Sequence, residues 1–149
     1  MATTPLSLTG RALRLLSARE HSRAELVRKL TQYEEEPGAL AKVLDTLEAK
    51  DFINEGRVVE SVVHRRATKL GASRIRQELQ AKGLEPEAVA DAVNRLRVSE
   101  VERAREVWRK KFGQPPIDAA ERARQMRFLA SRGFGGDTIH KIVSGSDEE

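Results

Sequence analysis

The side chains of this sequence best suited to chemistry are its cations, and the chemistry they suit is the binding of negative charge. The 149 residues carry 27 Lys or Arg and 23 Asp or Glu, a formal net charge of +4. Residues 64–84 hold six cations against one acid, Glu78, whereas residues 34–55 hold seven acids against Lys42 and Lys50. Segregated charge of this kind favours a polyanionic partner or an acidic protein groove, although a solvated helix exterior has the same composition.

The candidate contact residues fall into three groups that follow one another along the chain. We expect these cations to contact a protein partner or DNA phosphate: Arg23, Arg28 and Lys29 in the first group, Arg65, Arg66, Lys69, Arg74, Arg76 and Lys82 in the second, and Arg127, Arg132 and Lys141 in the third. Each phosphate contact that is lost should lower the salt dependence of binding. For any single residue, a solvated helix exterior is the alternative.

Catalytic chemistry is not indicated by any motif. His21, His64 and His140 have no ligand spacing such as HExxH, and we expect each at the surface or in a helix cap. The consecutive carboxylates at 34–36 do not converge on a cation from an extended loop, and the glycines at 133–136 form no phosphate-binding loop. With no reactive group beside an activating base, we predict no catalytic, metal-binding or cofactor-binding residues and a protein that acts by binding.

Aromatic residues are scarce, at 4% of the sequence, and charged residues make up 34%. Such a chain buries its apolar surface in thin helix-on-helix seams rather than in one deep core. Trp108 is therefore predicted to be a core residue, and the scarcity argues against a single-strand binder that depends on base stacking. The absence of cysteine, of a signal-peptide pattern and of an apolar run near 18 residues predicts a soluble cytoplasmic protein with no membrane partner.

The cations must be positioned by helices, and the clearest helical stretch is 71–93, GASRIRQELQAKGLEPEAVADAV. Ser73 is predicted to cap a helix that ends near Lys82, Gly83 to take the left-handed conformation after it, and Pro86 to open the next helix. The apolar positions spaced to bury one face of each helix are Leu79, Leu84, Val89 and Val93.

This helical hairpin recurs along the chain. Residues 128–134 and 139–143 repeat residues 78–84 and 89–93, with the same ten-residue spacing between the two helices (89−79 and 139−129). The anchors of the three copies are Leu26, Leu79 and Leu129, which are 53 and 50 residues apart (79−26 and 129−79). With these anchors the first copy carries seven extra residues around 33–38. A period near 50 residues is typical of helical-repeat proteins.

The predicted fold class is all-α: three tandem three-helix, helix-turn-helix-like repeats in an elongated, curved array. We place the repeats at 9–53, 54–98 and 99–143, with flexible tails at 1–8 and 144–149. The predicted caps are the capping boxes Ser22 with Glu25, Ser99 with Glu102 and Asp118 with Glu121, and the single residues Asn54, Ser73 and Asp137. The fourth helix is predicted to extend from Glu55 to Leu70. The predicted inward stripe of the eighth helix is Ala119, Ala123, Met126 and Ala130.

These segments resemble the bacterial RecX regulators. Residues 12–30, ALRLLSAREHSRAELVRKL, resemble the opening repeat of that family; Arg65-Arg66 with residues 71–83 resemble the middle repeat; and residues 128–134 with Asp137-Thr138-Ile139 resemble the closing one. The similarity covers about Gly10 to Val143. The sequence departs from the family at 54–59, NEGRVV, where an Asp followed soon by an aromatic and a small residue is usual.

The resemblance implies a regulator that binds the RecA recombinase. Such proteins lodge in the groove of the RecA–single-stranded-DNA filament and mostly inhibit its ATPase, strand-exchange and co-protease activities, which tunes recombination, DNA repair and the SOS response. The family supplies no catalytic residues to carry over. We also expect a monomer that contacts single- or double-stranded DNA weakly. A rigid array whose basic residues recur about every 50 positions could touch successive subunits of a polymer, and weak contacts add through effective concentration.

Two other functions compete with this interpretation. A winged-helix DNA-binding transcriptional regulator would use residues 43–49 as a recognition helix and 52–63 as a wing hairpin. Against it, Val59, Val62 and Val63 follow helical spacing, since a strand would place Val62 and Val63 on opposite faces. The other is a protein scaffold that contacts neither nucleic acid nor RecA.

Overall fold

The computed structural model describes residues 5–145, and every regular element in that part of the chain is helical. The α-helices there are α1 Leu8–Ala18, α2 Arg23–Leu30, α3 Ala39–Ala49, α4 Glu55–Arg66, α5 Ala72–Ala81, α6 Pro86–Val98, α7 Glu100–Lys111, α8 Ala119–Ser131 and α9 Gly136–Ser144. The wing hairpin that a winged-helix regulator would need over 52–63 does not form, because α4 occupies most of that stretch, as the helical spacing predicts. Of the predicted tails, residues 1–4 and 146–149 lie outside the described residues, and Ser7 caps α1.

Three separate apolar cores divide these helices into a first unit (α1–α3), a second unit (α4–α6) and a third unit (α7–α9). The first core contains Ala12, Leu26, Leu30, Leu40, Leu44, Leu47 and Ile53. The second contains Val58, Val59, Val62, Ala72, Ile75, Leu79, Leu84, Val89, Ala92, Val93 and Leu96. The third contains Ala104, Leu129, Phe134, Ile139, Ile142 and Val143. Each core draws on one unit, which confirms the all-α class and the three tandem three-helix units; the curvature of the array stays a prediction.

The buried residues of the middle helix in each unit include a pair four positions apart. These pairs are Leu26 and Leu30, Ile75 and Leu79, and Gln125 and Leu129. The equivalent of Leu79 is therefore Leu30 and not Leu26, and the repeat spacings become 49 and 50 residues (79−30 and 129−79). Leu40 then follows Leu30 by ten positions, as in the other copies, so the seven-residue insertion disappears. A 3-10 turn at Thr31–Tyr33 replaces the glycine turn that follows α5 and α8.

Helix caps formed within one unit agree with prediction. Ser22 and Glu25 form a reciprocal capping box on α2, and the side chains of Asn54 and Asp118 accept hydrogen bonds from backbone amides of α4 and α8. Gly83 takes a φ of 71° after α5, and Pro86 opens α6.

Several other local predictions are wrong, and the corrections lie around the contact between the second and third units. Ser73 lies inside α5, which Gly71 precedes, and Asp137 lies inside α9, which Gly135 precedes. The Ser99 hydroxyl does not cap α7; it donates to the Leu96 carbonyl of α6 at 3.3 Å and accepts a hydrogen bond from Arg103 Nε at 3.0 Å. The fourth helix ends at Arg66 rather than Leu70.

The predicted apolar stripe of α8 is only partly correct, since Met126 packs against the third core and Ala123 is half-buried. The buried residues of α8 are Gln125 and Leu129, whereas Ala119 and Ala130 are exposed. Gln125 is buried because its amide hydrogen bonds to Trp108 Nε1 at 2.8 Å and to the Gln114 carbonyl at 3.0 Å.

The middle helices α2, α5 and α8 meet end to end, and both joints connect equivalent positions of the repeats. At the first joint, the Ser22 hydroxyl at the N-terminus of α2 donates to the carbonyl of Lys82, the residue after α5, at 2.5 Å. At the second joint, the Gly71 amide before α5 donates to the carbonyl of Arg132, the residue after α8, at 2.7 Å. Each joint places the positive end of one helix dipole against the negative end of the next, which is favourable.

An arginine also donates across each joint, from different positions of the two helices to equivalent carbonyl groups. Arg28 of α2 donates to the Ala81 carbonyl at 2.9 Å, and Arg74 of α5 donates to the Ser131 carbonyl at 2.6 Å. Ala81 and Ser131 each lie two positions before the turn glycine of their hairpin. A repeated joint therefore accompanies the repeated sequence.

Candidate partner-binding surface

The twelve candidate cations differ in how much of their charge faces solvent. Lys82 is the most enclosed: its side chain is 13% exposed and its Nζ lies 3.2 Å from Glu25 Oε2 in the first joint. Glu25 itself is buried, which would by itself raise its pKa. Hydrogen bonds from Arg19, the Ser22 amide and Lys82 outweigh burial and lower the pKa to about 2. Lys82 thus serves the joint between the units.

The first group of candidates is mostly engaged within the protein. Arg23 forms ion pairs with Asp45 at 2.8 Å and Glu48 at 2.7 Å. Arg28 spans the first joint, as described above. Lys29 is exposed, and its Nζ lies 3.0 Å from the Nε2 atom of His21.

His21 corrects the prediction that all three histidines lie at the surface or in caps. Its side chain is buried, and its Nδ1 lies 3.0 Å from the Arg19 carbonyl. Burial lowers the pKa of His21, and the charges of Arg19 and Lys29 lower it further, so the neutral imidazole is favoured. His64 and His140 are exposed.

Four candidates from two units line one surface depression. We call this depression the basic concavity; its lining is Arg66, Lys69, Leu70, Arg74, Gln77, Glu78 and Arg132. The C-terminal end of α4 supplies Arg66 and the residues after it, α5 supplies Arg74, and the α8–α9 turn supplies Arg132. The second joint brings Arg132 beside the other three, which precede it by about 60 positions in the chain.

Within the basic concavity the cations are held to different degrees. Glu78 accepts a hydrogen bond from Arg66 Nε at 3.0 Å and lies 3.7 Å from Arg65 Nη2. The Arg132 guanidinium stacks over the Phe128 ring, 4.5 Å from its centroid. Among residues 5–145, the Lys69 ammonium has no acidic partner within ion-pair distance.

The remaining candidates, Arg76, Arg127 and Lys141, are exposed. None of them forms an ion pair with another described residue. They lie on α5, α8 and α9, in the second and third units.

The sequence prediction missed two charged residues that organise the second joint. The Arg103 guanidinium donates to the carbonyls of Ala67 at 2.9 Å, Leu70 at 2.7 Å and Leu96 at 2.9 Å. The buried Glu100 carboxylate accepts hydrogen bonds from the Ala72 amide at 2.8 Å and the Gly135 amide at 3.3 Å. The only signal in the sequence is that Glu100 and Arg103 occupy positions of α7 that face inward, where apolar residues are expected.

Two further findings concern metal ions and membranes. Among residues 5–145, no cluster of three or more His, Asp or Glu side chains is arranged to hold a metal ion. None of the described helices combines the length and apolar character required to cross a bilayer.

Family models match each of the three units. Residues 10–47 match the first three-helix domain of RecX, residues 54–93 the second and residues 99–143 the third. The regulatory protein RecX of Leptothrix cholodnii is 55% identical over 144 residues, which cover 97% of this chain and 92% of the relative. The RecX of Ralstonia nicotianae is 46% identical over 143 residues, covering 96% and 90% of the two chains.

Solved structures have the same fold. A crystal structure of regulatory protein RecX matches with a TM-score of 0.75 at 19% identity, covering 98% of this chain and 83% of the other. The crystal structure of RecX from Lactobacillus salivarius also matches with a TM-score of 0.75, at 21% identity and 94% coverage of both chains. The departure at 54–59 leaves these matches intact. The chain belongs to the RecX family of regulatory proteins.

Proposed function

We propose that this protein binds the RecA–single-stranded-DNA filament in the cytoplasm and modulates, mostly inhibits, its ATPase, strand-exchange and co-protease activities. The observation that carries the proposal is the repeated joint: two end-to-end helix contacts between equivalent positions, 49 to 50 residues apart in sequence (71−22, 132−82). A filament presents identical subunits at a fixed step. A monomeric protein whose units are joined in a repeated way can contact successive subunits of the filament with similar surfaces.

The charge distribution supports binding to an anionic groove. Exposed cations lie on the second and third units. The acidic segment, residues 34–55, lies mostly in the first unit. Individually, exposed ion pairs contribute about 0 to 1 kcal/mol. Several such contacts on one rigid body add through effective concentration, so affinity for a polymer exceeds affinity for one subunit.

The proposed contact residues follow from exposure. Arg76, Arg127, Lys141 and Lys69 are the first choice, since no internal ion pair competes for them within the described residues. Arg65, Arg66, Arg74 and Arg132 follow, because part of their hydrogen-bonding capacity remains free. Arg23, Arg28, Lys29 and Lys82 contribute mainly by holding the first unit and its joint. We propose 9–53, 54–98 and 99–143 as the units that dock.

The test is RecA-catalysed ATP hydrolysis on single-stranded DNA, titrated with this protein. We expect inhibition well below one copy per RecA, with shorter or fewer filaments by electron microscopy. A variant that combines Arg76→Ala, Arg127→Ala and Lys141→Ala should need several-fold more protein, whereas Lys42→Ala with Lys50→Ala should match the wild type. No effect of the wild-type protein at equimolar concentration would refute the proposal.

A further inference from the structure

The basic concavity has a charge that its internal contacts leave largely uncompensated. It contains four cations and one carboxylate, a formal charge of +3 (4−1). Glu78 neutralises mainly Arg66 and the neighbouring Arg65. Among the described residues, no acidic side chain lies within ion-pair distance of Lys69, Arg74 or Arg132, so their positive charge is not neutralised inside the protein.

Two of these three cations are already fixed in position. Arg74 uses one N–H to reach the Ser131 carbonyl at 2.6 Å, and a guanidinium has five N–H donors. Arg132 packs over the Phe128 ring, with its guanidinium carbon 4.5 Å from the ring centroid. Because these contacts restrict the side chains before any ligand arrives, binding loses less rotamer entropy than at free surface arginines.

The lining favours phosphate over a protein partner. Apart from the aliphatic Leu70, the side chains that line the basic concavity are polar or charged, and none is aromatic. The centre of a protein–protein interface is usually apolar and rich in aromatic anchors. Arginine and lysine without such anchors suit phosphate oxygens, which guanidinium groups bind in bidentate geometry.

The size of the basic concavity favours a flexible strand. Its volume is about 590 Å³, within the range of small-ligand pockets of roughly 300 to 1,000 Å³. A few linked phosphates of a single strand can bend into such a recess. Duplex DNA has a persistence length of about 150 base pairs and cannot do so without a large deformation cost.

We infer that the basic concavity binds the phosphodiester backbone of single-stranded nucleic acid through Lys69, Arg74 and Arg132, with the carboxylate of Glu78 limiting the affinity. This inference rests on the proposed function in one respect. If the protein binds the RecA filament, the DNA strand of the filament would contact the joint between the second and third units. The contact reads backbone and not bases, because the lining offers no aromatic ring on which a base could stack.

The experiment measures binding of fluorescein-labelled oligothymidine by fluorescence anisotropy, with RecA absent, from about 50 to about 200 mM NaCl. The test variant combines Lys69→Gln with Arg132→Gln, which leaves the backbone contacts of the second joint in place. The control combines Lys42→Gln with Lys50→Gln, two exposed lysines of the acidic first unit. Circular dichroism melting of each variant checks that the fold is retained.

Each phosphate contact contributes about 0.7 to the salt slope for a single strand, so the test variant should lose about 1.4. Its affinity deficit relative to wild type should then be about sevenfold larger at the low salt concentration than at the high one. The control should keep the wild-type slope. Glu78→Gln should shift binding the other way, with tighter binding and a steeper slope.

Several outcomes would overturn the inference. One is a folded test variant that binds oligothymidine with the wild-type slope; another is a Glu78→Gln variant that binds more weakly. If the protein binds a duplex of matched length more tightly than the single strand, and this binding depends on Lys69 and Arg132, the ligand is duplex DNA and not a single strand. Loss of RecA inhibition by a variant with normal oligothymidine binding would assign the concavity to protein. Because the titration contains no RecA, failure of the RecA assay leaves its outcome unaffected.

Discussion

Gly71 and Gly133 touch through bare backbone across the second joint. A Cβ atom on Gly71 would lie 2.5 Å from the Gly133 carbonyl carbon and 2.6 Å from the Phe134 nitrogen. A Cβ on Gly133 would lie 2.7 Å from the Arg74 nitrogen. These glycines therefore set how closely α5 approaches the α8–α9 turn, and the hydrogen bond from Gly71 to Arg132 depends on that approach.

The first prediction is that Gly71→Ala loosens the second joint. The φ of Gly71, −82°, suits alanine, so the cost comes from overlap with backbone that cannot rotate away. We expect a loss of about 3 kcal/mol in the free energy of unfolding, at the upper end for overpacking. Gly136→Ala is the control, since a Cβ there meets nothing within 4 Å. Urea unfolding followed by Trp108 fluorescence, which reports the third unit, measures both; equal midpoints would contradict the prediction.

The second prediction uses two glycines with the same backbone conformation. Gly83 and Gly113 both have a φ of 71°, but a Cβ on Gly83 would lie 2.6 Å from the Ala24 Cβ across the first joint. A Cβ on Gly113 would meet only the Arg109 carbonyl, at 3.2 Å. Alanine at Gly113 should cost about 1 to 2 kcal/mol from the left-handed conformation.

Alanine at Gly83 should cost about 1 to 3 kcal/mol more than alanine at Gly113, because the joint must also open. The measurement is urea unfolding by circular dichroism, with hydrogen exchange of α2 and α5 amides to locate the change. If the two variants lost the same free energy of unfolding, the first joint would accommodate the overlap between the new Cβ and Ala24 without loss of stability.

The sequence predicted most of what is decided within one unit. Periodicity identified the helices, and Ser22, Asn54, Asp118, Gly83 and Pro86 acted as local signals because their partners lie a few residues away. The predictions failed where the neighbouring unit supplies the partner. The first amides of α5 are satisfied by Glu100 and by the residues after α8, so Ser73 has no capping role.

The candidate surface shows the same division. Charge segregation identified the basic segment of the second unit, but no local pattern places Arg132 beside Lys69 and Arg74. Nor does the sequence distinguish Lys82, which the first joint encloses, from Arg76, which remains exposed. The predicted anchor, Leu26, follows from matching Glu25-Leu26 to Glu78-Leu79, whereas the burial of Leu30 gives the register that keeps the spacing constant.

The third prediction concerns Arg103, which satisfies three carbonyl groups around the second joint. Arg103→Met keeps much of the aliphatic packing and leaves the Ala67 and Leu70 carbonyls without their donor, whereas Ser99 still donates to the Leu96 carbonyl. We expect a loss of about 3 kcal/mol. Arg109→Met on the same helix is the control, because Arg109 pairs with Glu106 at the exposed surface. That change should cost less than about 0.5 kcal/mol. Comparable losses in urea unfolding would count against the role assigned to Arg103.

The fourth prediction concerns acid stability through Glu25. The pKa of Glu25 is lowered from 4.5 to about 2 in the folded protein, so folding favours the carboxylate. Its contribution is fully present above pH 4.5 and is lost as the pH falls towards 2. A shift of this size corresponds to about 3 kcal/mol.

Glu25→Gln tests this contribution, since glutamine retains the capping-box geometry and removes the charge. We expect the variant to unfold with about 3 kcal/mol less free energy than wild type at neutral pH, and the difference to shrink as the pH falls from 4.5 towards 2. Glu60→Gln is the control, because the Glu60–Arg95 pair lies exposed at the surface and contributes little. The measurement is urea unfolding at several pH values. The prediction fails if the stability difference between Glu25→Gln and wild type stays constant over that pH range. Arg19 and Lys82 would then not stabilise the ionised form of Glu25.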